Sequence, residues 1–168
     1  MHGLVRALTR VDDGLAMVEE WVLIALVAAM SGVVFLQVIY RYALAQPLQW
    51  SEELARYLFA WICLLGAALG VRKRAHFGIN FFLRVESVRA GRIIMFSAYL
   101  VMGIVAVALL VNGVFLVQKT AAQRSPAMEI SMAWPYACVP AGAALMLVHL
   151  FSLALREAAN GKRDPGRQ

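Results

Sequence analysis

Residues 21–40 read WVLIALVAAMSGVVFLQVIY, twenty positions without a formal charge, closed off by Glu19 and Glu20 on one side and Arg41 on the other. At about 1.5 Å per residue such a helix is about 30 Å long, the thickness of the hydrocarbon core of a bilayer. A helix satisfies its own backbone hydrogen bonds, so this run can sit in lipid without an unpaired N–H or C=O. The rest of the composition follows the same pattern. Of the 168 residues, 62% are hydrophobic and 15% charged, against roughly 45–50% and about 25% for soluble chains. One soluble core of this size cannot hide so much apolar surface. That excludes a soluble enzyme, a disordered chain and a nucleic-acid-binding domain, despite a net charge of +6, because the basic residues lie between apolar blocks and do not form a solvated face. Cys63 and Cys138 lie inside apolar blocks without CxxC or metal spacing and read as small buried hydrophobes.

Three more blocks follow. Tyr57–Val71 has fifteen uncharged positions, about 22 Å, so the span must also use Leu54, Ala55 and Arg56. Ser51 is the expected N-cap, and Glu52 and Glu53 suit the positive end of the helix dipole. Ile93–Gln118 and Ile130–Leu155 are each twenty-six residues without a charge. In the last of these, Pro140 removes the hydrogen bond to the carbonyl of Tyr136 and should kink the helix, whereas Pro135 falls near the first turn and is tolerated. The expectation is an all-α integral membrane protein with one membrane domain, four transmembrane helices at about 21–40, 52–71, 93–118 and 131–155, and a tail over 156–168.

Orientation comes from the basic residues. Twelve of the sixteen Lys and Arg fall in the N-terminal segment, the connection between spans two and three, and the tail; Arg41, Arg56, Lys119 and Arg124 fall on the other side. The positive-inside rule therefore places both termini in the cytoplasm. In residues 1–20, Leu4, Leu8, Val11, Leu15 and Val18 recur at spacings of four and three with Arg6, Arg10 and Asp13 off the stripe. This predicts an amphipathic interfacial helix, and no signal-peptide cleavage site follows it. Residues 76–92 could form a second surface helix.

Chemistry is sparse. Spans one and three carry Ser31, Gln37, Ser97, Asn112 and Gln118 as polar side chains, none of them ionisable. Asn112, the most central, is expected to make an interhelical hydrogen bond. His149 is the one histidine inside a span and reads as packed or interfacial; a bis-histidine haem site needs two opposed ligands in the bundle, and His2 and His76 lie outside the spans. No nucleophile with a base, metal cluster or phosphate loop is visible, so the chain reads as non-catalytic, without cofactor or metal. Association is the better theme. Gly66 and Gly70, four apart beside Ala67 and Ala68, let backbones approach, as do Ala25 and Ala29, Ala28 and Gly32, and the cluster from Ala141 to Ala144.

The run Gln37–Tyr42 (QVIYRY), then Pro47–Arg56 (PLQWSEELAR), Trp61, Leu65–Ala68 (LGAA), the basic cluster before His76 and the later Ser125–Pro140 (SPAMEISMAWPYACVP) together resemble the DctQ-type small permease subunit of tripartite ATP-independent periplasmic (TRAP) transporters. The resemblance covers about residues 20–155; Trp50, Glu52, Glu53 and Arg56 are its most specific part, and Glu129 departs from it, an uncharged residue being usual there. It implies a scaffold role in a bacterial inner membrane. The partners it implies are a large permease subunit that carries substrate and ion, a periplasmic substrate-binding protein and membrane lipids. The implied cargo is a small organic acid such as a dicarboxylate, usually taken up with sodium.

For Glu52, Glu53 and Arg56 the residues offer two readings: an ion-pair cluster that fixes the start of span two, with Arg41 as a further partner, or separately solvated headgroup charges. His76 is a contact to lipid headgroups or partner, or a solvated loop residue. Competing functions are a membrane anchor subunit of a respiratory or redox complex, which a haem band would reveal, and a small homo-oligomeric exporter, which needs a membrane-central carboxylate.

Overall fold

The computed structural model describes residues 2–73 and 88–161, with side chains over 9–73 and 96–156. Helix α1 runs His2–Tyr42, α2 Gln49–Arg72, α3 Val88–Thr120, α4 Ala133–Tyr136 and α5 Cys138–Gly161. Four helical segments are long and apolar enough to cross a membrane: Thr9–Tyr42, Gln49–Arg72, Phe96–Thr120 and Ala133–Arg156. The expected surface helix over 76–92 and His76 itself lie outside the described residues, except that 88–92 form the first turn of α3.

The segment expected to be an amphipathic surface helix is continuous with the first span. A 41-residue α1 is about 62 Å long, twice the hydrocarbon thickness, so it tilts or extends beyond the lipid. Its inward stripe is Asp12, Ala16 and Glu19, all buried, while Val11 and Val18 of the expected apolar stripe are exposed. Over the span itself large side chains point outward: Trp21, Ile24 and Phe35 on α1, like Phe96, Ile104 and Val111 on α3, are all more than half exposed.

Helix α5 is the hub, packing against α2, α3 and α1, and α2 also packs along α1. The contacts are tight because glycines permit them. A Cβ at Gly142 would lie 2.9 Å from Leu64 Cβ and 3.1 Å from the Leu64 carbonyl, so α5 meets the backbone of α2 there. At Gly113 of α3 an added Cβ would lie 2.9 Å from Pro140 Cδ and Val139 Cγ1. Gly66, expected to serve this purpose, has nothing within 4 Å of its Cβ position, and Gly70 is half-buried. The close approach passes through the last span, within the Ala141–Ala144 cluster, rather than through Gly66. The buried core is correspondingly made of small and aliphatic residues: Leu65, Ala68, Leu69 and Val71 of α2, Ala106 of α3, and Ala143, Leu150 and Leu153 of α5.

The last span is interrupted at Ala137, the residue after Tyr136, whose carbonyl loses its partner to Pro140; beyond it the Ala141 N–H bonds the Ala137 carbonyl at 3.1 Å. Pro135 is buried inside the one-turn α4. Helix α2 begins two residues before Ser51, after Leu48. Ser51 is therefore not the N-cap, and its hydroxyl donates back to the Leu48 carbonyl at 2.7 Å. The end of α1 is closed by the Gln46 N–H on the Tyr40 carbonyl at 3.0 Å, with Ala45 in the left-handed region at φ 51°.

Candidate functional site: polar anchors at the two ends of the bundle

At the end of the bundle where α1 starts and α5 finishes, charged residues from three helices converge. His149 of α5 is fully buried, with Nδ1 2.6 Å from Asp12 Oδ1 and Nε2 3.0 Å from Glu19 Oε2. Asp12 and Glu19 belong to α1, seven residues apart and on one helix face. The second oxygen of Asp12 accepts from Arg156 of α5 at 2.9 Å and from Arg72 of α2 at 3.4 Å. Asp13 pairs with the same two guanidinium groups, at 2.6 Å to Arg72 and 2.9 Å to Arg156. Lys73 completes the rim, 2.8 Å from Glu20. Burial of a carboxylate is costly unless it is paired, and here each buried acid has a cation or imidazole against it.

Sequence reasoning missed this cluster because its members are up to 144 positions apart. A signal was present: Asp12, Ala16 and Glu19 repeat at four and three, the same period as the apolar stripe that drew attention. The cluster also bears on haem ligation. Both ring nitrogens of His149 are engaged by carboxylates, leaving neither to face an iron.

The opposite end is organised by one carboxylate. Glu53, in the first turns of α2, is 2% exposed. It accepts the Ala127 N–H at 2.8 Å and the hydroxyl of Tyr57, one turn further along α2. Tyr57 in turn lies 3.3 Å from Met132 Sδ. Ala127 sits in the connection between α3 and α4, which folds on itself: Ser125 N–H to the Ile130 carbonyl and Met132 N–H to the Gln123 carbonyl, both 2.9 Å, and the Ser131 hydroxyl to the Ala121 carbonyl at 2.7 Å. Glu129 takes φ 54° in this loop, and its carbonyl accepts from Arg124 at 2.8 Å.

The expected charge cluster is therefore redistributed. Among the described residues no ion pair joins Arg56 to Glu52 or Glu53, and Arg56 and Arg41 are exposed. Glu53 spends its charge on the loop instead, a backbone N–H being a better-placed partner than a guanidinium that can reach water. Glu52 is exposed and accepts from Gln37 of α1 at 3.3 Å. The Arg41 guanidinium lies 6.0 Å above the Tyr42 ring, and Trp50 is 38% exposed at the same end. Asn112 does not reach across helices: its amide donates to the Ala108 carbonyl of its own helix at 2.7 Å, on an exposed face.

This arrangement fastens helices together; among the described residues no group of three His, Cys, Asp or Glu side chains is placed to hold a metal ion. Comparison with known proteins adds the family context. The family described as tripartite ATP-independent periplasmic transporters, DctQ component, matches residues 30–160. The sialic acid TRAP transporter small permease protein SiaQ of Vibrio cholerae is 31% identical over 130 residues, 77% of this chain and 75% of that one. The sialic acid TRAP transporter permease protein SiaT of Haemophilus influenzae is 40% identical over 73 residues, 42% of this chain and 12% of that one. The C4-dicarboxylate TRAP transporter small permease protein DctQ of Vibrio cholerae is 30% identical over 81 residues, 48% of this chain and 35% of that one.

Proposed function

Since the chain belongs to the DctQ family of TRAP small permease subunits, a transporter component and not an enzyme, we propose that it braces a large permease subunit during uptake of a small organic acid, such as a dicarboxylate or a sialic acid, coupled to sodium. Its multi-pass membrane character follows from four apolar helices. The observation that carries the bracing role is where the charges go. Among the described residues the buried ionisable groups gather at the two ends of the bundle and are engaged in contacts within the chain, and no carboxylate lies midway along a span where a coupling ion would have to bind.

The apolar faces of α1 and α3 are surfaces that lipid and the large subunit would cover. The excess of Lys and Arg on one side supports both termini in the cytoplasm of a bacterial inner membrane, which puts the Glu53 loop, Arg41, Trp50 and Arg56 on the periplasmic face. There the exposed Arg41, Trp50 and Arg56 are placed to meet the large subunit, a headgroup or the periplasmic substrate-binding protein. The test is reconstitution. Uptake of labelled solute into proteoliposomes holding the large permease and the binding protein should require this chain, and Arg56→Glu should weaken co-purification with the large permease. Full uptake without the chain, or uptake by the chain alone, would overturn the reading.

A further inference from the structure

His149 stands between two carboxylates, and the hydrogens available to a neutral ring do not suffice for that position. A neutral imidazole carries one N–H and one bare lone pair. Here both nitrogens face carboxylate oxygen, Nδ1 at 2.6 Å from Asp12 and Nε2 at 3.0 and 3.2 Å from the two oxygens of Glu19. With two carboxylates and a neutral ring, one of these contacts sets lone pair against lone pair in a site almost closed to solvent, the three side chains being 0%, 4% and 5% exposed. One more proton removes the conflict.

We propose that the Asp12–His149–Glu19 site binds one proton as an imidazolium at neutral pH, and that this proton fastens the first half of α1 to α5. Among the described residues the ion pairs around the site join Asp12, Asp13 and Glu20 of α1 to Arg72 of α2, Lys73 just beyond its end and Arg156 of α5, and none of these cations lies against Glu19, whose partner is the ring. The geometry puts the proton on the ring: Glu19 turns both oxygens toward Nε2, at 3.0 and 3.2 Å, as an acceptor does. The site is separate from the anchors at the Glu53 end.

The experiment is nitrogen-15 NMR of the full chain in lipid bilayers at about pH 7, labelled at histidine, with His2 and His76 replaced by Asn so that His149 alone reports. The expected spectrum has both ring nitrogens protonated, with nearly equal shifts and an attached hydrogen on each. A widely displaced bare-nitrogen signal, from a neutral tautomer, would overturn the proposal. Glu19→Gln on the same background supplies a neutral acceptor and an N–H donor, so the ring no longer needs its second proton. The expected result is appearance of the bare-nitrogen signal at Nε2 with Nδ1 still protonated. A doubly protonated ring in that variant would overturn the role given to Glu19. If the variant fails to fold, the spectrum of the parent decides.

Discussion

Two adjacent glutamates of identical chemistry should respond very differently to removal. Glu53→Ala takes away the acceptor of the Ala127 N–H, held at 2.8 Å, and of the Tyr57 hydroxyl. Hydrogen bonds to a charged group contribute about 1.5–3 kcal/mol each. At 2% exposure water cannot readily replace the lost carboxylate, but two bonds to one group do not add fully. The expected loss is about 2–4 kcal/mol, or roughly 5–15 °C in melting temperature for a chain of this size. Glu52→Ala removes one exposed contact at 3.3 Å to Gln37, and should stay within about 0.5 kcal/mol of the parent. The assay is thermal unfolding of the purified chain in detergent, followed by tryptophan fluorescence, with limited proteolysis at residues 121–132 as a local readout. Glu53 is not the anchor of this loop if Glu53→Ala melts within about 1 °C of the parent, or if Glu52→Ala melts lower than Glu53→Ala.

Other substitutions test the rest of the framework. Gly142→Ala pushes a methyl against the Leu64 backbone and should cost about 1–3 kcal/mol, whereas Gly66→Ala, with open space around it, should be neutral or stabilising by up to about 1 kcal/mol; denaturation midpoints of the pair compare them directly. Asp12→Ala strips partners from His149, Arg72 and Arg156. Because those two arginine side chains are 22% and 35% exposed and still reach water, the expected loss is about 2–4 kcal/mol, below that of a wholly buried pair, read as a lower melting temperature. Ala45→Gly relieves a left-handed alanine at φ 51° and should raise stability by about 1 kcal/mol, visible as a higher melting point with unchanged far-ultraviolet dichroism.

The helices were readable from the sequence because a charge-free block long enough to cross lipid is a local property: Trp21–Tyr40 announces itself without reference to any other residue. The interruption after Tyr136 was readable for the same reason, Pro140 acting on a carbonyl four positions back. What failed were inferences about partners. Glu53 and Arg56 lie three apart on one helix face, so an ion pair between them is the local expectation beside separately solvated charges, whereas Glu53 binds Ala127, 74 positions away. Gly66 carried the familiar four-residue spacing, yet close approach occurs at Gly142 and Gly113, because which side of a helix meets another is fixed by the bundle and not by the motif. On α1 two stripes of the same period competed, and hydrophobicity favoured Val11 and Val18. In lipid the sign reverses: apolar side chains are content outside, and it is Asp12 and Glu19 that must turn inward to find counter-charges.

The way α5 is shared has a mechanical consequence. Among the described residues α1 leans on α2 and, less, on α5, and α3 leans on α5, without α1 and α3 packing substantially on one another, so in cross-section the spans stand as a palisade more than a ring. A palisade has two broad flanks and little self-contained interior, and it resists bending along its posts better than sliding between them. The cluster around His149 and the loop held by Glu53 are rivets at the top and bottom rails, placed where sliding would begin.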